Sequence, residues 1–113
     1  MPHDEAAIEA EIQAKGKTAP RLTPSLIDDQ IECSYVGRAS DLFGKGYPAH
    51  PALETLTIAI LVLRNGFLVT GESACASPEN YDEGIGRKIA FDNARAKIWP
   101  LEGYALKTKL AAL

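Results

Sequence analysis

From Leu56 to Leu63 the chain is free of charge and, but for Thr57, apolar, and strand alternation sorts it into Leu56, Ile58, Ile60 and Val62 on one side and Thr57, Ala59, Leu61 and Leu63 on the other. Asn65-Gly66 follows at once and predicts a hairpin with a two-residue type I′ turn, in which both central residues need positive φ. That turn would set Arg64 opposite Phe67, Val62 opposite Val69, Ile60 opposite Gly71 and Ile58 opposite Ser73 on one face. The other face would carry Thr57, Ala59, Leu61 and Leu63 against Leu68, Thr70, Glu72 and Ala74. Polarity grows toward the end of the second strand. The apolar half therefore belongs to a core, and the polar half, Gly71 to Asn80, leads into the longest helix.

Around the hairpin the pattern is helical. Asp4 is placed to cap a first helix ending at Lys15-Gly16. Its apolar side is only Ile8 and Ile12 with small alanines, so it is expected to lie on another element or on a second subunit. Lys17 to Arg21 reads as linker, and Thr23-Pro24-Ser25 opens a short helix to about Ile31 with Leu26, Ile27 and Ile31 inward. Residues 32–37 alternate as a third strand. Arg38 to Glu54 holds three glycine or proline clusters and reads as a long loop of the kind that is often functional. Ser77-Pro78 repeats the cap-then-proline signature, and a helix runs from there or from Asp82 to Trp99, with Ile85, Ile89 and Ala96 as one stripe and Phe91, Ala94 and Ile98 as a second. Gly84 and Gly86 open two sides of its start to a close approach by backbone or ligand. Trp99-Pro100 is expected to break or kink the helix, and a last helix, Leu101 to Leu113, brings Leu106, Leu110 and Leu113 onto one face. The fold class is α+β: one domain over residues 1–113, with an N-terminal helix and linker (1–22) and a core (23–113). In that core about three antiparallel strands around the Asn65-Gly66 hairpin are packed with the long helix and the C-terminal helix.

Composition narrows the functions. The 113 residues are 46% hydrophobic and 24% charged, an ordinary globular balance, and no apolar run approaches the ~20 residues that span a bilayer. The opening Met1-Pro2-His3-Asp4-Glu5 lacks the basic start and apolar centre of a signal peptide, which points to the cytoplasm. Cys33 and Cys75, with His3 and His50, offer no metal-ligand spacing, and both cysteines are read as reduced. A net charge of −3 argues against a grip on long nucleic acid, while a compact anion held by a few basic side chains stays compatible with it.

The candidate chemistry lies in the polar loop. Ser73, Ser77, Asn80 and nearby N–H groups, at a helix N-terminus, suit phosphate or sugar oxygens, and Tyr81 offers a ring on which a base can stack. Arg87 and Arg95 flank Phe91 on the helix, and with Arg38 they are the candidates for phosphate charge. The plainer alternative gives Ser77 a capping role, Ser73 and Asn80 local backbone bonds, and the arginines a solvated face. A Cys75 nucleophile with His50 as base is the weaker enzymatic reading, because nothing in the sequence brings the two together. Gly84-Ile85-Gly86 lacks the third glycine of a dinucleotide fingerprint. No catalytic residue, metal or cofactor is assigned.

Residues Leu61 to Leu110 closely resemble a family of small tailed-phage proteins. The shared run is Leu61-Val62-Leu63-Arg64-Asn65-Gly66-Phe67, Thr70-Gly71-Glu72-Ser73-Ala74-Cys75, Pro78-Glu79-Asn80-Tyr81-Asp82, Ile85-Gly86-Arg87-Lys88, Ala90, Asn93-Ala94 and Ile98-Trp99-Pro100-Leu101-Glu102-Gly103-Tyr104. Glu11 to Gly16 with Thr18 to Arg21 extends the likeness, leaving Arg38 to Glu54 as this protein's own. Most members have no assigned role, and the group includes or lies close to the first described Thoeris anti-defence proteins. That resemblance implies a non-enzymatic sponge for cyclic ADP-ribose isomers and cyclic di- and trinucleotides, acting in the host bacterial cytoplasm. It further implies assembly from dimers into hexamers with ligand sites between subunits. The alternative is an interaction module that binds a host protein.

Overall fold

The computed structural model describes residues 4–17, 19–44, 48 and 50–113. The readings placed on Met1 to His3 and on Lys45, Gly46 and Tyr47 lie outside these residues.

Strand β1 (Ile31–Arg38), β2 (Leu56–Leu63) and β3 (Leu68–Ala74) form an antiparallel sheet in the order β1-β2-β3. Helix α1 (Glu5–Ala14) and α2 (Pro24–Asp29) precede it, α3 (Ala39–Leu42) and a 3-10 turn (Pro51–Thr55) link β1 to β2, and a second 3-10 turn (Pro78–Asn80) leads into α4 (Glu83–Ala96) and α5 (Ile98–Ala111). Asp4 caps α1 by accepting from the Ala7 N–H, and Thr23 caps α2 by accepting from Leu26. The α+β class and the three-stranded hairpin sheet are as the sequence predicts.

The hairpin register differs from the expectation by one residue. Leu63 N–H donates to the Phe67 carbonyl at 2.9 Å and Gly66 N–H to the Leu63 carbonyl at 2.8 Å, so the loop has three residues, with Gly66 alone at positive φ (+88°). This is a type I turn closed by a glycine bulge rather than a type I′ turn, and the Asn65 side chain accepts from Phe67 N–H at 2.9 Å instead of Asn65 adopting positive φ. A one-residue slip exchanges the faces of the second strand. Leu61 therefore pairs with Val69 and Ala59 with Gly71 on the covered face, while Ile60 pairs with Thr70 and Ile58 with Glu72 on the open one. A bulge at Glu32 makes the matching adjustment in β1, where Ile31 pairs with Leu63 but Cys33 with Val62.

Small residues position α4 on the sheet. Gly86, Ala90 and Ala94, four apart on the helix, are all buried and meet Thr57, Ala59 and Gly71. The core is completed by Ile27, Leu61, Leu63, Val69 and Ile98, with Phe91 and Trp99 packed against it. The expected stripe of Ile85 and Ile89 is exposed instead, because the larger side chains would not let the helix come this close to the strands. The break falls at Lys97, not at Trp99-Pro100. Pro100 sits in the first turn of α5, where its missing N–H would have had no helical partner.

Side chains of α4 also wrap both edges of the sheet. Arg87 Nη1 donates to the Val36 carbonyl on β1 at 2.9 Å, and Asn93 Nδ2 to the Glu72 carbonyl on β3 at 2.9 Å. Among the described residues the face of the sheet away from α4 is covered only at one end, where Leu42 of α3 meets Gly37, and Tyr35 and Leu68 are exposed at its two sides with Ile60 between them.

Candidate functional site

Where β3 gives way to α4, three chain segments converge. Cys75 N–H donates to the Thr55 carbonyl at 3.1 Å, pinning the end of β3 to the turn before β2. The next turn is closed by Asn80 N–H to Ser77 carbonyl at 3.0 Å and Tyr81 N–H to Pro78 carbonyl at 3.1 Å. Together these set Ser73, Asn80 and Tyr81 around a hollow of about 140 Å³ that Thr57, Cys75 and Asp82 also line. Arg38, at the end of β1, lays its guanidinium over the Tyr81 ring with Cζ 3.9 Å from the centroid, while its Nε donates to the Glu54 carbonyl at 2.6 Å. Four of the seven candidate residues, Arg38, Ser73, Asn80 and Tyr81, are thus neighbours.

The start of α4 is not the bare anion site that the sequence implies. Asp82 supplies its own carboxylate, accepting from Ile85 N–H at 2.9 Å, and Glu83 follows in the first turn. Negative charge near those N–H groups is already provided by the chain. Ser77 does not cap α4; it precedes the 3-10 turn and makes no side-chain capping bond. The hollow's wall mixes hydroxyl, amide, thiol and one carboxylate with the apolar side chains of Ala74, Ile85 and Ile89, and the cation stands outside it, above Tyr81.

Arg87 and Arg95 are carried elsewhere. Arg87 holds the edge of β1 as described. Arg95, only 13% exposed, bonds Glu5 of α1 and, at 2.7 Å, Asp28 of α2, with Nη2 at 3.3 Å from the Pro24 carbonyl. The Glu5 hydrogen bond, with Asp28 behind it, raises the Arg95 pKa further above its ordinary value. Its position is that of a clamp joining α1 and α2 to α4. A second clamp is the double hydrogen bond from Arg21 to Glu9, both arms at 2.8 Å, which lowers the Glu9 carboxyl to about 2.

Thr57 is the residue that sequence reading passed over. It is 1% exposed, and its hydroxyl has no hydrogen-bond partner among the described residues. A Cβ at Gly86 would stand 2.8 Å from that oxygen, so glycine there is what lets the helix close over it. A threonine at an inward strand position between apolar neighbours was the available signal. His50 Nδ1 accepts from Ala52 N–H at 3.0 Å, in its own turn, whereas the Cys75 thiol lies 3.8 Å from the Thr55 carbonyl. No cluster of three or more metal-ligating side chains occurs among the described residues, and no helix among them is long and apolar enough to cross a membrane.

No curated protein and no solved structure matches the chain. The sequence profile of the Phage protein (N4 Gp49/phage Sf6 gene 66) family matches residues 22–110, from the residue before the Thr23 cap almost to the end of α5. The chain belongs to that phage protein family.

Proposed function

We propose that this phage protein is a non-enzymatic sponge. It binds nucleotide immune signals, cyclic ADP-ribose isomers and cyclic di- and trinucleotides, and withholds them intact in the host bacterial cytoplasm, working as a homo-oligomer. The observation that carries the reading is Arg38 stacked on Tyr81 at the mouth of a hollow lined by Ser73, Asn80 and Thr57. Such a ligand has a charged pyrophosphate or phosphodiester joined to neutral, hydrogen-bonding sugars and bases. A guanidinium outside a hollow that mixes hydroxyl and amide groups with apolar side chains offers two such environments side by side.

Size sets the division of labour. A cavity of about 150 Å³ takes up one benzene ring, so the hollow, which the partly exposed Ile85 and Ile89 also line, admits one ring of the ligand and the rest lies over Arg38. Sequestration asks only for affinity, and nanomolar binding corresponds to about −12 kcal/mol. Residues 61–110 resemble a phage protein family that includes or lies close to the Thoeris anti-defence proteins, and that resemblance supports the same reading. Calorimetric titration with cyclic ADP-ribose isomers and cyclic oligonucleotides tests it: saturable heat at the Kd expected of a sponge supports it, and a flat titration with every compound ends it.

One observation favours a second reading. The part of the sheet face that bears Tyr35, Ile60 and Leu68, open among the described residues, suits a protein partner, as an interaction module would require.

A further inference from the structure

The hollow beside α4 has a buried floor and an exposed rim. Thr57 and Gly86 are its buried residues, while Asn80, Asp82, Ile85 and Ile89 stand exposed around them. At the floor the Thr57 hydroxyl lacks a hydrogen-bond partner among the described residues, where a buried polar atom is ordinarily paired. A hydroxyl both donates and accepts, so a ligand group of either kind completes it. At the rim, Asp82 commits Oδ1 to the Ile85 N–H at 2.9 Å, and its Oδ2 makes no hydrogen bond among the described residues. One unpaired hydroxyl and one unpaired carboxylate oxygen thus belong to the lining of the same small space.

A nucleotide has three parts to offer, and this lining rejects two of them. Phosphate is rejected by charge, because Asp82 is the only charged residue of the wall among the described residues and Glu83 follows it in the first turn of α4. A purine is rejected by size: benzene alone takes up a cavity of about 150 Å³, a purine is two fused rings, and the hollow holds about 140 Å³. A ribose is a single five-membered ring. Its adjacent hydroxyls donate to a carboxylate, as they do to the acidic residue of dinucleotide-binding folds, and pair with a second hydroxyl in either direction. Its C–H face suits Ala74, Ile85 and Ile89.

We propose that the hollow is a ribose seat, in which the 2′- and 3′-hydroxyls of one sugar meet Thr57 and Asp82 while the phosphate on that sugar stays outside, against Arg38. The cation is prepared for that part. Its Nε is held by the Glu54 carbonyl at 2.6 Å, and neither terminal nitrogen has a hydrogen-bond partner among the described residues, which leaves both for two phosphate oxygens. The inference rests on the sponge reading for the kind of ligand, and it ranks the proposed signals. A cyclic oligonucleotide uses a 2′- or 3′-hydroxyl of every sugar to close its ring, whereas a cyclic ADP-ribose isomer keeps the diol of at least one sugar free, so the seat favours the latter.

Adenosine 5′-monophosphate and its 2′,3′-dideoxy analogue share base and phosphate and differ only in the diol, which makes them the probes. Titration of the full chain by heteronuclear NMR should give the monophosphate a Kd at least about tenfold lower than the analogue's. That preference should vanish in Thr57→Val and in Asp82→Asn, the second of which keeps an N-cap for α4. Cys75 lines the hollow and Cys33 lies on the opposite face of the sheet, so thiol alkylation read by mass spectrometry locates the ligand. With the monophosphate at about ten times its Kd, Cys75 should react about tenfold more slowly and Cys33 at its usual rate. Equal affinity for the two compounds, binding of neither, a preference that survives either substitution, or a Cys75 whose reactivity the monophosphate leaves unchanged would each overturn the assignment. A cyclic ADP-ribose isomer retained without any preference for the diol keeps the sponge and removes the seat; preference for the diol with no cyclic nucleotide bound does the reverse.

Discussion

The guanidinium of Arg38 rests over the ring of Tyr81, 3.9 Å from its centroid, and joins the end of β1 to the turn that precedes α4. Neither residue is close to the other in sequence, and the stack forms because Arg38 is also anchored to the Glu54 carbonyl. An exposed cation–π contact is worth about 0.5–1 kcal/mol, so Arg38→Ala should cost the fold little. Its affinity for a cyclic ADP-ribose isomer should fall at least about tenfold, which is 1.4 kcal/mol. Calorimetry beside thermal melts checks both halves.

Gly71 is expected to be the least replaceable residue of β3. A Cβ there would lie 2.3 Å from the Ala94 nitrogen and 2.4 Å from the Ala90 carbonyl oxygen, and both are helix backbone atoms that cannot rotate away. Gly71→Ala should destabilise by about 3 kcal/mol, at the upper end of ordinary overpacking, as α4 is pushed off the sheet. Denaturant unfolding reads this directly, and a change under 1 kcal/mol would refute the close approach.

Thr57→Val should act in the opposite direction. The substitution keeps the shape of the side chain and removes a buried hydroxyl that lacks a partner, so stability should rise by roughly 1 kcal/mol. A clear loss of stability would mean that the hydroxyl is satisfied in solution. Measuring nucleotide affinity of the same variant shows whether that oxygen also serves the hollow.

Glu9 makes the attachment of α1 sensitive to acid. Its carboxyl is held at about 2 against an ordinary 4.5, first by the hydrogen bond from Arg21 and then by Gln13. A depressed folded-state pKa stabilises above the unfolded value, so the contribution is complete above pH 4.5 and is lost as pH falls toward about 2. Trp99 lines the groove next to α1, and its fluorescence should shift to the red across that window as the helix loosens. Glu9→Gln should abolish the transition.

Much of this architecture was legible in the chain because it rests on local signals. The Asp4 and Thr23 caps, the β-strand alternation and the antiparallel hairpin depend on neighbours a few residues apart, and all are found. What escaped was decided at a distance. The hairpin register turned on whether Asn65 takes positive φ or offers its side chain to Phe67, two outcomes that the same dipeptide permits. The inner face of α4 is Gly86, Ala90 and Ala94, which a search for large apolar residues passes over, since close approach rather than side-chain size fixed the packing. Likewise Arg38 and Tyr81 meet through tertiary folding, whereas Arg95, grouped with Arg87 by helical spacing, is taken by Glu5 at the far end of the sequence. Charge alone could not separate a clamp from a ligand contact.

Incubation of a cyclic ADP-ribose isomer with the purified protein, removal of free nucleotide, and recovery after heat denaturation is the most direct test of sequestration without chemistry. Depletion of the free signal followed by its return unchanged is the expected result. Return of a cleaved product, or a signal that stays free throughout, would contradict it.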